Sequence, residues 1–213
     1  EQMITISLCM IVKNEEKVLA RCLDSIADLM DEIIIVDTGS SDNTKEIAKK
    51  YTDKIYDFAW IDDFSAARNY SFSKATKEYI YVADADEVID ADNHRKLAEL
   101  KEVLIPEIEI VQMRYCNQLA NGTAYNFDEE YRPKLSKRQR EFTWIEPVHE
   151  MVRLDPVVYD SEIDILHMPE RVHSSRDFAV FQKQIQKGQR LSKRLHHMYA
   201  MELYISGSDE DVI

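Results

Sequence analysis

Short apolar runs alternate with amphipathic stretches along the first part of the chain. The apolar runs predict strands that are covered on both faces, and the stretches between them predict helices. The predicted strands are Ile4–Val12, Glu32–Val36, Lys54–Phe58 and Tyr79–Ala83. The predicted helices are one that opens at Asn14-Glu15-Glu16, Lys45–Lys50 and Phe64–Ala75. This alternation predicts a parallel sheet with helices on both faces, and ligands of such sheets bind beyond the carboxyl ends of the strands.

The pattern changes after a helix predicted at about Asn93–Val103. Short β-forming runs separated by polar turns then predict an antiparallel extension of the sheet. These runs are Glu107–Tyr115, Thr123–Phe127, Arg132–Ser136, Phe142–Ile145 and Val148–Leu154. Beyond Pro169 the pattern predicts helices at Ser174–Leu195 and His197–Ile205. We therefore predict an α/β domain at residues 1–170 and a helical tail at residues 171–213.

Composition and charge narrow the classes of function. A net charge of −13 argues against a nucleic-acid partner, because phosphate binding draws on clustered Lys and Arg. No apolar run approaches the roughly 20 residues that a membrane helix needs. Residues Glu1–Thr5 lack the basic and apolar regions of a signal peptide, so we expect a cytoplasmic protein without a transmembrane span. The 3 cysteines, Cys9, Cys22 and Cys116, are widely separated and indicate buried thiols rather than disulfides or a zinc site.

An acidic triplet, Asp84-Ala85-Asp86, follows the fourth predicted strand. Residues two apart in an extended chain point the same way, so Asp84 and Asp86 can converge on one hard cation. A Mn²⁺ or Mg²⁺ ion held there could bridge two phosphates and neutralise the charge on a departing nucleoside diphosphate. The alternative is a solvated acidic loop, which chance supplies in many acidic chains. The position directly after a buried strand favours the metal site.

A second carboxylate, Asp37, ends the second predicted strand. It can accept a hydrogen bond from a uracil N–H or a ribose hydroxyl, and the segment containing Gly39 lets the backbone approach a ligand. The alternative is an ordinary turn into a helix, capped by Asp42, Asn43 or Thr44. For these last three residues we favour the capping role.

The helix predicted at Phe64–Ala75 carries Arg68 and Asn69 one turn from its start. Arg suits bidentate contact with oxyanions, so both residues are candidates for the same cleft. The alternative for Arg68 is a salt bridge to Asp62 or Asp63.

Two carboxylates and an imidazole, Glu146, Glu150 and His149, lie close together in the β-rich extension. Transfer of a group to an acceptor needs a general base that takes the proton of the acceptor, and Glu150 or Glu146 could serve. His149 is a candidate acceptor contact or ligand, and His167, at the end of a further apolar run, is a candidate metal ligand. The alternative for both histidines is a structural role, which is commoner for an isolated histidine.

Taken together, these segments resemble glycosyltransferase family 2 in order and spacing, over roughly residues 4–170. The matching segments are Ser7–Glu15, Asp37–Ser40, Asp63-Phe64 with Ala67-Arg68-Asn69, and Asp84–Asp86. The resemblance implies a Rossmann-like GT-A fold, a nucleoside diphosphate sugar donor that is usually UDP-linked, and inversion at the anomeric carbon. It also implies that Asp37 contacts the nucleotide, that Arg68 and Asn69 line the donor site, and that Asp84 and Asp86 hold the metal.

Within this family the chain looks most like a bacterial branch with a Val-His-Glu segment and a downstream His after a strand. That branch includes peptide S-glycosyltransferases and lipopolysaccharide-core glucosyltransferases, which implies a peptide, a glycan or a lipid-linked sugar as acceptor. Some members continue into tetratricopeptide repeats, and Met198–Gly207 resembles the first helix of such a repeat. A terminal helix packed on the domain is the alternative for this segment.

Two other functions stay open at this point. A nucleotidyltransferase would have a similar sheet and acidic metal site, but it usually needs a Gly-rich phosphate loop, and the chain contains only 4 Gly. A non-catalytic sugar-nucleotide sensor or interaction module would have a vestigial donor site. The presence of Asp37, Arg68, Asp84 and Asp86 together argues against a vestigial site.

Overall fold

The computed structural model describes residues 3–118, 125–139, 144–145, 151–152, 155–169, 174–188 and 192. Its strands are β1 (Ile6–Val12), β2 (Glu32–Asp37), β3 (Ile55–Asp57), β4 (Tyr79–Val82), β5 (Glu87–Val88), β6 (Ile110–Gln118), β7 (Tyr125–Lys137), β8 (Trp144–Ile145), β9 (Met151–Val152) and β10 (Val158–His167). Its α-helices are α1 (Leu19–Ile26), α2 (Thr44–Ala48), α3 (Phe64–Lys74), α4 (Ala91–Val103) and α5 (Ser174–Gln186). A short 3₁₀ helix, Ala27–Leu29, follows α1.

Among the described residues, eight strands form one mixed sheet in the order β3-β2-β1-β4-β7-β6-β10-β5. The strands β3, β2, β1 and β4 are parallel to one another. β7 pairs antiparallel with both β4 and β6, and β5 pairs antiparallel with β10. The carboxyl ends of β1, β2 and β4 therefore meet at one edge of the sheet.

The strands of the parallel half are buried on both faces, as their apolar runs predict. On one face Leu8 and Met10 of β1 pack with Leu23 of α1 and Leu97 of α4. On the other face Cys9, Ile34, Val36 and Ile80 pack beneath α3. Each fully buried Leu or Ile contributes about 1.5–3 kcal/mol, so the two layers of side chains hold helices on both faces of the sheet.

The extension differs from its prediction in two respects. The described part of the first run, Tyr125–Phe127, and the run Arg132–Ser136 belong to a single strand, β7, because backbone pairing with β6 continues through the residues between them. Thr123 and Ala124 lie outside the described residues. β10 runs parallel to β6 rather than antiparallel, because the chain returns to the starting end of β6, where the amide of Glu109 donates to the carbonyl of Val157. Hydrogen bonds between strands join backbone groups, so the pattern of polar and apolar side chains indicated neither the length of β7 nor the direction of β10.

The interpretation of the cysteines is confirmed. Cys9, Cys22 and Cys116 are buried free thiols. No helix in the described part of the chain is long and apolar enough to cross a membrane. α5 begins at the predicted residue, Ser174, but ends at Gln186 rather than Leu195, because Lys187 and Gly188 form a turn in which Gly188 has a φ of 74°. Apart from these two residues and Ser192, the rest of the predicted tail, including Met198–Gly207, lies outside the described residues.

Candidate functional site

The loops that follow β1 and β2 are joined into one rim at the carboxyl edge of the sheet. The amide of Asn14 donates to Ser40 Oγ (2.9 Å), and Asn14 Oδ1 accepts from the amide of Ser41 (2.8 Å). The amide of Glu15 donates to Thr44 Oγ1 at 2.8 Å. Asn14 has a φ of 52°, a left-handed conformation that Asn tolerates better than most residues. The rim is therefore held by side chains of both loops.

Asp37 lies beneath this rim as the last residue of β2 and is 1% exposed. Its Oδ1 accepts from the amides of Gly39 (2.9 Å) and Ser40 (2.8 Å). Gly39 has a φ of 109°, where a side chain would be strained. Asp37 Oδ2 is buried and has no hydrogen-bond partner among the described residues. A buried acceptor without a partner costs about 1–3 kcal/mol, so this oxygen is suited to a donor supplied by a ligand.

The polar residues before α2 act mainly as a turn, as predicted. Asp42 Oδ1 accepts from the amide of Thr44 (2.9 Å) and from its Oγ1 (2.5 Å). Asn43 is the N-cap residue of α2, but its side chain makes no capping hydrogen bond, and its amide donates to Glu16 Oε2. Asp42 therefore acts as predicted by accepting from the first amide of α2, whereas the side chain of Asn43 does not cap the helix and Thr44 is the first residue of the helix itself.

Arg68 on α3 reaches the acidic triplet rather than the carboxylates before its own helix. Its Nη2 lies 4.0 Å from Asp84 Oδ1. Asp63 caps α3 by accepting from the amide of Ala66, and Asp62 accepts from Lys183 Nζ of α5 at 2.8 Å. The alternative salt bridge from Arg68 to Asp62 or Asp63 is therefore wrong. Asn69, the next residue of α3, is exposed.

The acidic triplet forms a turn, which changes how its two carboxylates are directed. β4 ends at Val82, and the amide of Glu87 donates to the carbonyl of Asp84 at 3.1 Å. The alternation expected of an extended chain is therefore wrong here. The side chain of Asp84 is 57% exposed and faces Arg68, whereas that of Asp86 is 10% exposed. The two carboxylates thus have different environments and different partners.

Asp86 meets His167 at the end of β10, with His167 Nε2 at 3.0 Å from Asp86 Oδ2. The antiparallel pairing of His167 with Glu87 brings the two together, and the amide of Met168 donates to the carbonyl of Asp86. The imidazole also packs against Tyr115, with ring centroids 5.2 Å apart. The predicted metal-ligand candidates Asp84, Asp86 and His167 therefore gather around one turn.

A divalent metal ion needs oxygen or nitrogen donors that converge on one point. Among the described residues, no group of three or more His, Cys, Asp or Glu side chains is arranged to hold an ion by itself. Asp86 and His167 supply two donors, and Asp84 lies in the same turn. Mg²⁺ is usually bound by one or two carboxylates completed by substrate phosphates and water, and Mn²⁺ also takes carboxylates. The donor set therefore fits an ion that binds together with a diphosphate.

The sequence pattern did not indicate two residues that support this turn. Lys134 Nζ of β7 lies 2.6 Å from Oε2 of Glu87, the residue that directly follows the triplet. Arg132, two positions earlier, lies 3.7 Å from the centroid of the Tyr115 ring. Both contacts depend on where β7 and β6 lie in the sheet, which no local pattern indicates.

The candidates for acceptor chemistry, Glu146, His149 and Glu150, lie outside the described residues. The short strands on either side of them in sequence, β8 and β9, pair antiparallel. Their roles as general base and acceptor contact stay predictions.

Comparison with known proteins identifies a family. The model of glycosyl transferase family 2 matches residues 7–152. The glycosyltransferase SunS of the SPbeta prophage of Bacillus subtilis is 41% identical over 102 residues, which cover 47% of this chain and 24% of SunS. A TPR repeat-containing protein of Synechococcus elongatus is 51% identical over 85 residues, covering 40% of this chain and 21% of that protein. The matches thus span less than a quarter of either relative.

A solved structure shares the fold. Glucosyl-3-phosphoglycerate synthase from Mycobacterium tuberculosis, in complex with Mn²⁺ and UDP-glucose, superposes with a TM-score of 0.55 at 14% identity. The match covers 89% of this chain and 81% of that one. The predicted GT-A fold is confirmed by this likeness, which at such low identity concerns the fold alone.

Proposed function

Because the chain belongs to glycosyl transferase family 2, we propose that it is an inverting, divalent-metal-dependent hexosyltransferase that uses a UDP-linked sugar. The observation that carries this proposal is the turn after β4, which holds Asp86 against His167 and Asp84 against Arg68. Side chains that can bind a metal ion thus lie beside the guanidinium of Arg68, which is suited to phosphate. Both are at the carboxyl edge of the sheet, where α/β folds bind ligands.

The nucleoside would bind beneath the rim formed by the loops after β1 and β2. Asp37 Oδ2 is a buried acceptor without a partner in the described part of the chain, so a uracil N–H or a ribose hydroxyl can donate to it. Gly39 and Ser40 hold the other carboxylate oxygen, which fixes the direction of Oδ2. The UDP-glucose complex of the mycobacterial relative supports the choice of uridine.

The diphosphate would lie between α3 and the turn formed by Asp84-Ala85-Asp86, which we call the acidic turn. Asp84, Asp86 and His167 would hold a Mn²⁺ or Mg²⁺ ion, which when bound supplies positive charge to neutralise the departing diphosphate. The guanidinium of Arg68 donates hydrogen bonds to phosphate oxygens, and exposed Asn69 lines the donor site. Mn²⁺ in the mycobacterial complex supports metal use without distinguishing Mn²⁺ from Mg²⁺.

The acceptor would enter opposite the diphosphate. We assign the general base to Glu150 or Glu146, whose carboxylate takes the proton of the acceptor nucleophile, and an acceptor contact to His149. A peptide, a glycan or a lipid-linked sugar is the proposed acceptor.

We further propose that residues 1–170 form the transferase unit and that residues 171–213 form a helical tail. The name of the Synechococcus relative supports reading Met198–Gly207 as the start of a tetratricopeptide repeat.

The test is binding and turnover of sugar nucleotides. UDP-, GDP- and dTDP-sugars are added to the chain with Mn²⁺, with Mg²⁺ or with EDTA, and the melting temperature is measured, since a bound ligand stabilises the native state. We expect UDP-sugars to raise the melting temperature only with metal, and UDP to be released when an acceptor is added. Absence of metal-dependent stabilisation by every nucleotide would contradict the proposal.

Other products identify the competing functions. Release of pyrophosphate instead of UDP would indicate a nucleotidyltransferase. A sensor would bind the UDP-sugar tightly but would release no UDP, whether water or a thiol, hydroxyl or sugar acceptor is offered.

A further inference from the structure

A buried ion pair lies directly behind the acidic turn. Lys134 Nζ of β7 is 2.6 Å from Glu87 Oε2, and each side chain is 5% exposed. Lysine and glutamate are almost never buried unless paired, because removing either charge from water costs several kcal/mol. A pair at this depth is weak evidence for stability alone, so its location is the informative feature.

Glu87 is joined through its backbone to both halves of the proposed metal site. Its amide donates to the carbonyl of Asp84 at 3.1 Å, which closes the turn. Its pairing partner in β10 is His167. A displacement of Glu87 would therefore move the acidic turn relative to the imidazole.

Lys134 lies at an irregularity in the pairing of β7 with β6, directly before a residue that is paired on both sides. The next residue, Leu135, pairs with Tyr81 of β4 and with Val111 of β6, so β7 is held on both sides at this point. Lys134 Nζ also lies 5.6 Å from the centroid of the buried Tyr81 ring. The ammonium group is therefore buried beside β4, within reach of Glu87.

On the basis of the proposed function, we propose that Lys134 is a positioning residue for the metal site. Its ion pair with Glu87 sets where the turn carrying Asp84 and Asp86 meets His167. Glu87 is the third carboxylate of the segment after Asp84 and Asp86. Because Lys134 binds it, Glu87 does not compete as a ligand for the ion. Lys134 acts through Glu87 and touches neither the donor nor the metal.

A second buried lysine offers a matched control. Lys101 of α4 donates to Asp31 Oδ2 (2.8 Å) and to the carbonyl of Leu29 (2.9 Å), and its side chain is 9% exposed. Asp31 Oδ2 also accepts from the amide of Ile6, where β1 begins. This pair therefore lies at the opposite edge of the sheet from the acidic turn.

The experiment measures Mn²⁺ binding to the 213-residue chain in the presence of UDP. Mn²⁺ is titrated by calorimetry, and its electron paramagnetic resonance spectrum reports the bound ion. We expect Lys134→Met to raise the half-saturating Mn²⁺ concentration by about 10- to 100-fold, the usual cost of losing a residue that orients metal ligands. Lys134→Arg, which keeps the cation, should retain most of the Mn²⁺ affinity.

Lys101→Met should lower the melting temperature without changing Mn²⁺ affinity. Wild-type Mn²⁺ affinity in Lys134→Met, or an equal loss in Lys101→Met, overturns the inference alone. If Lys134→Met does not fold, Glu87→Gln, which keeps the size of the side chain, must show the same loss of Mn²⁺ affinity for the inference to stand. If the unaltered chain shows no Mn²⁺-dependent binding of UDP, the proposed function fails and the inference fails with it.

Discussion

His167 Nε2 lies 3.0 Å from Asp86 Oδ2, although the two residues are 81 positions apart in the chain. The contact exists because β5 and β10 pair antiparallel, with His167 opposite Glu87. A carboxylate and an imidazole thus face each other at the edge where a nucleotide is proposed to bind. A second His–Asp contact in the fold, His94 with Asp28 at 2.9 Å, gives a control of similar geometry on α4.

Replacing His167 with Ala should weaken Mn²⁺ binding in the presence of UDP by on the order of 100-fold, the upper end of the range for residues that merely support metal ligands. The cause is the loss of one of the three side chains that are proposed to hold the ion. Calorimetric titration of Mn²⁺ measures the effect, and His94→Ala should leave it unchanged. Equal losses in both variants would show that the effect is not local to the site.

Replacing Asp37 with Asn should weaken UDP binding by about 1–3 kcal/mol, which is roughly 5- to 150-fold. While Oδ1 keeps its hydrogen bonds to Gly39 and Ser40, the amide NH₂ replaces the unpartnered Oδ2, so a donor faces the nucleoside N–H or O–H. Equilibrium dialysis of UDP measures the change. Asp24→Asn, which alters an exposed carboxylate that accepts from Tyr51, is the control and should bind UDP normally.

Glu32 should make stability depend on pH in the acid range. Burial alone would raise its pKa, but hydrogen bonds from Lys54, Ser7 and Thr76 outweigh burial and lower the pKa of Glu32 to about 2 from 4.5. Because the folded pKa is depressed, this contribution, about 3 kcal/mol, is present above pH 4.5 and is lost as the pH falls towards 2.

Urea unfolding of the wild type and of Glu32→Gln, measured at several pH values from 7 to 3, tests this expectation. The variant should be less stable at pH 7, and the difference should shrink below pH 4.5. Glu46→Gln removes an exposed carboxylate paired with Lys49 and should change stability by less than about 1 kcal/mol at any pH. A constant difference between wild type and Glu32→Gln across this range would contradict the linkage.

The cysteines should be unreactive in the native protein. Burial raises the pKa of Cys9 to about 12 and raises the pKa values of Cys22 and Cys116 as well. Since the thiolate is the reactive form, an aromatic disulfide reagent at pH 8 should label the folded chain slowly and all 3 thiols rapidly after unfolding in urea. Fast labelling of the folded chain would show that at least one thiol is accessible.

Local sequence pattern was sufficient for the donor end of the site. The apolar runs located β1, β2 and β4 to within two residues at each end, and so located Asp37 and the acidic triplet at strand ends. Parallel strands then require that these ends share one edge of the sheet. Pattern was insufficient for the direction of Asp84 and Asp86, because a turn replaces the extended conformation on which alternation depends.

The sequence by itself determined the alternating strands and helices, the two-sided burial of the parallel strands and the residue types available at their carboxyl ends, because hydrophobic periodicity acts over neighbouring residues. Only the tertiary structure decided that Arg68 faces Asp84, that His167 meets Asp86 and that Lys134 is buried against Glu87. The first contact follows from the packing of α3 on the sheet, the second from the pairing of β10 with β5, and the third from the place of β7 beside β4. Such packing and backbone ladders join distant segments without a local signature.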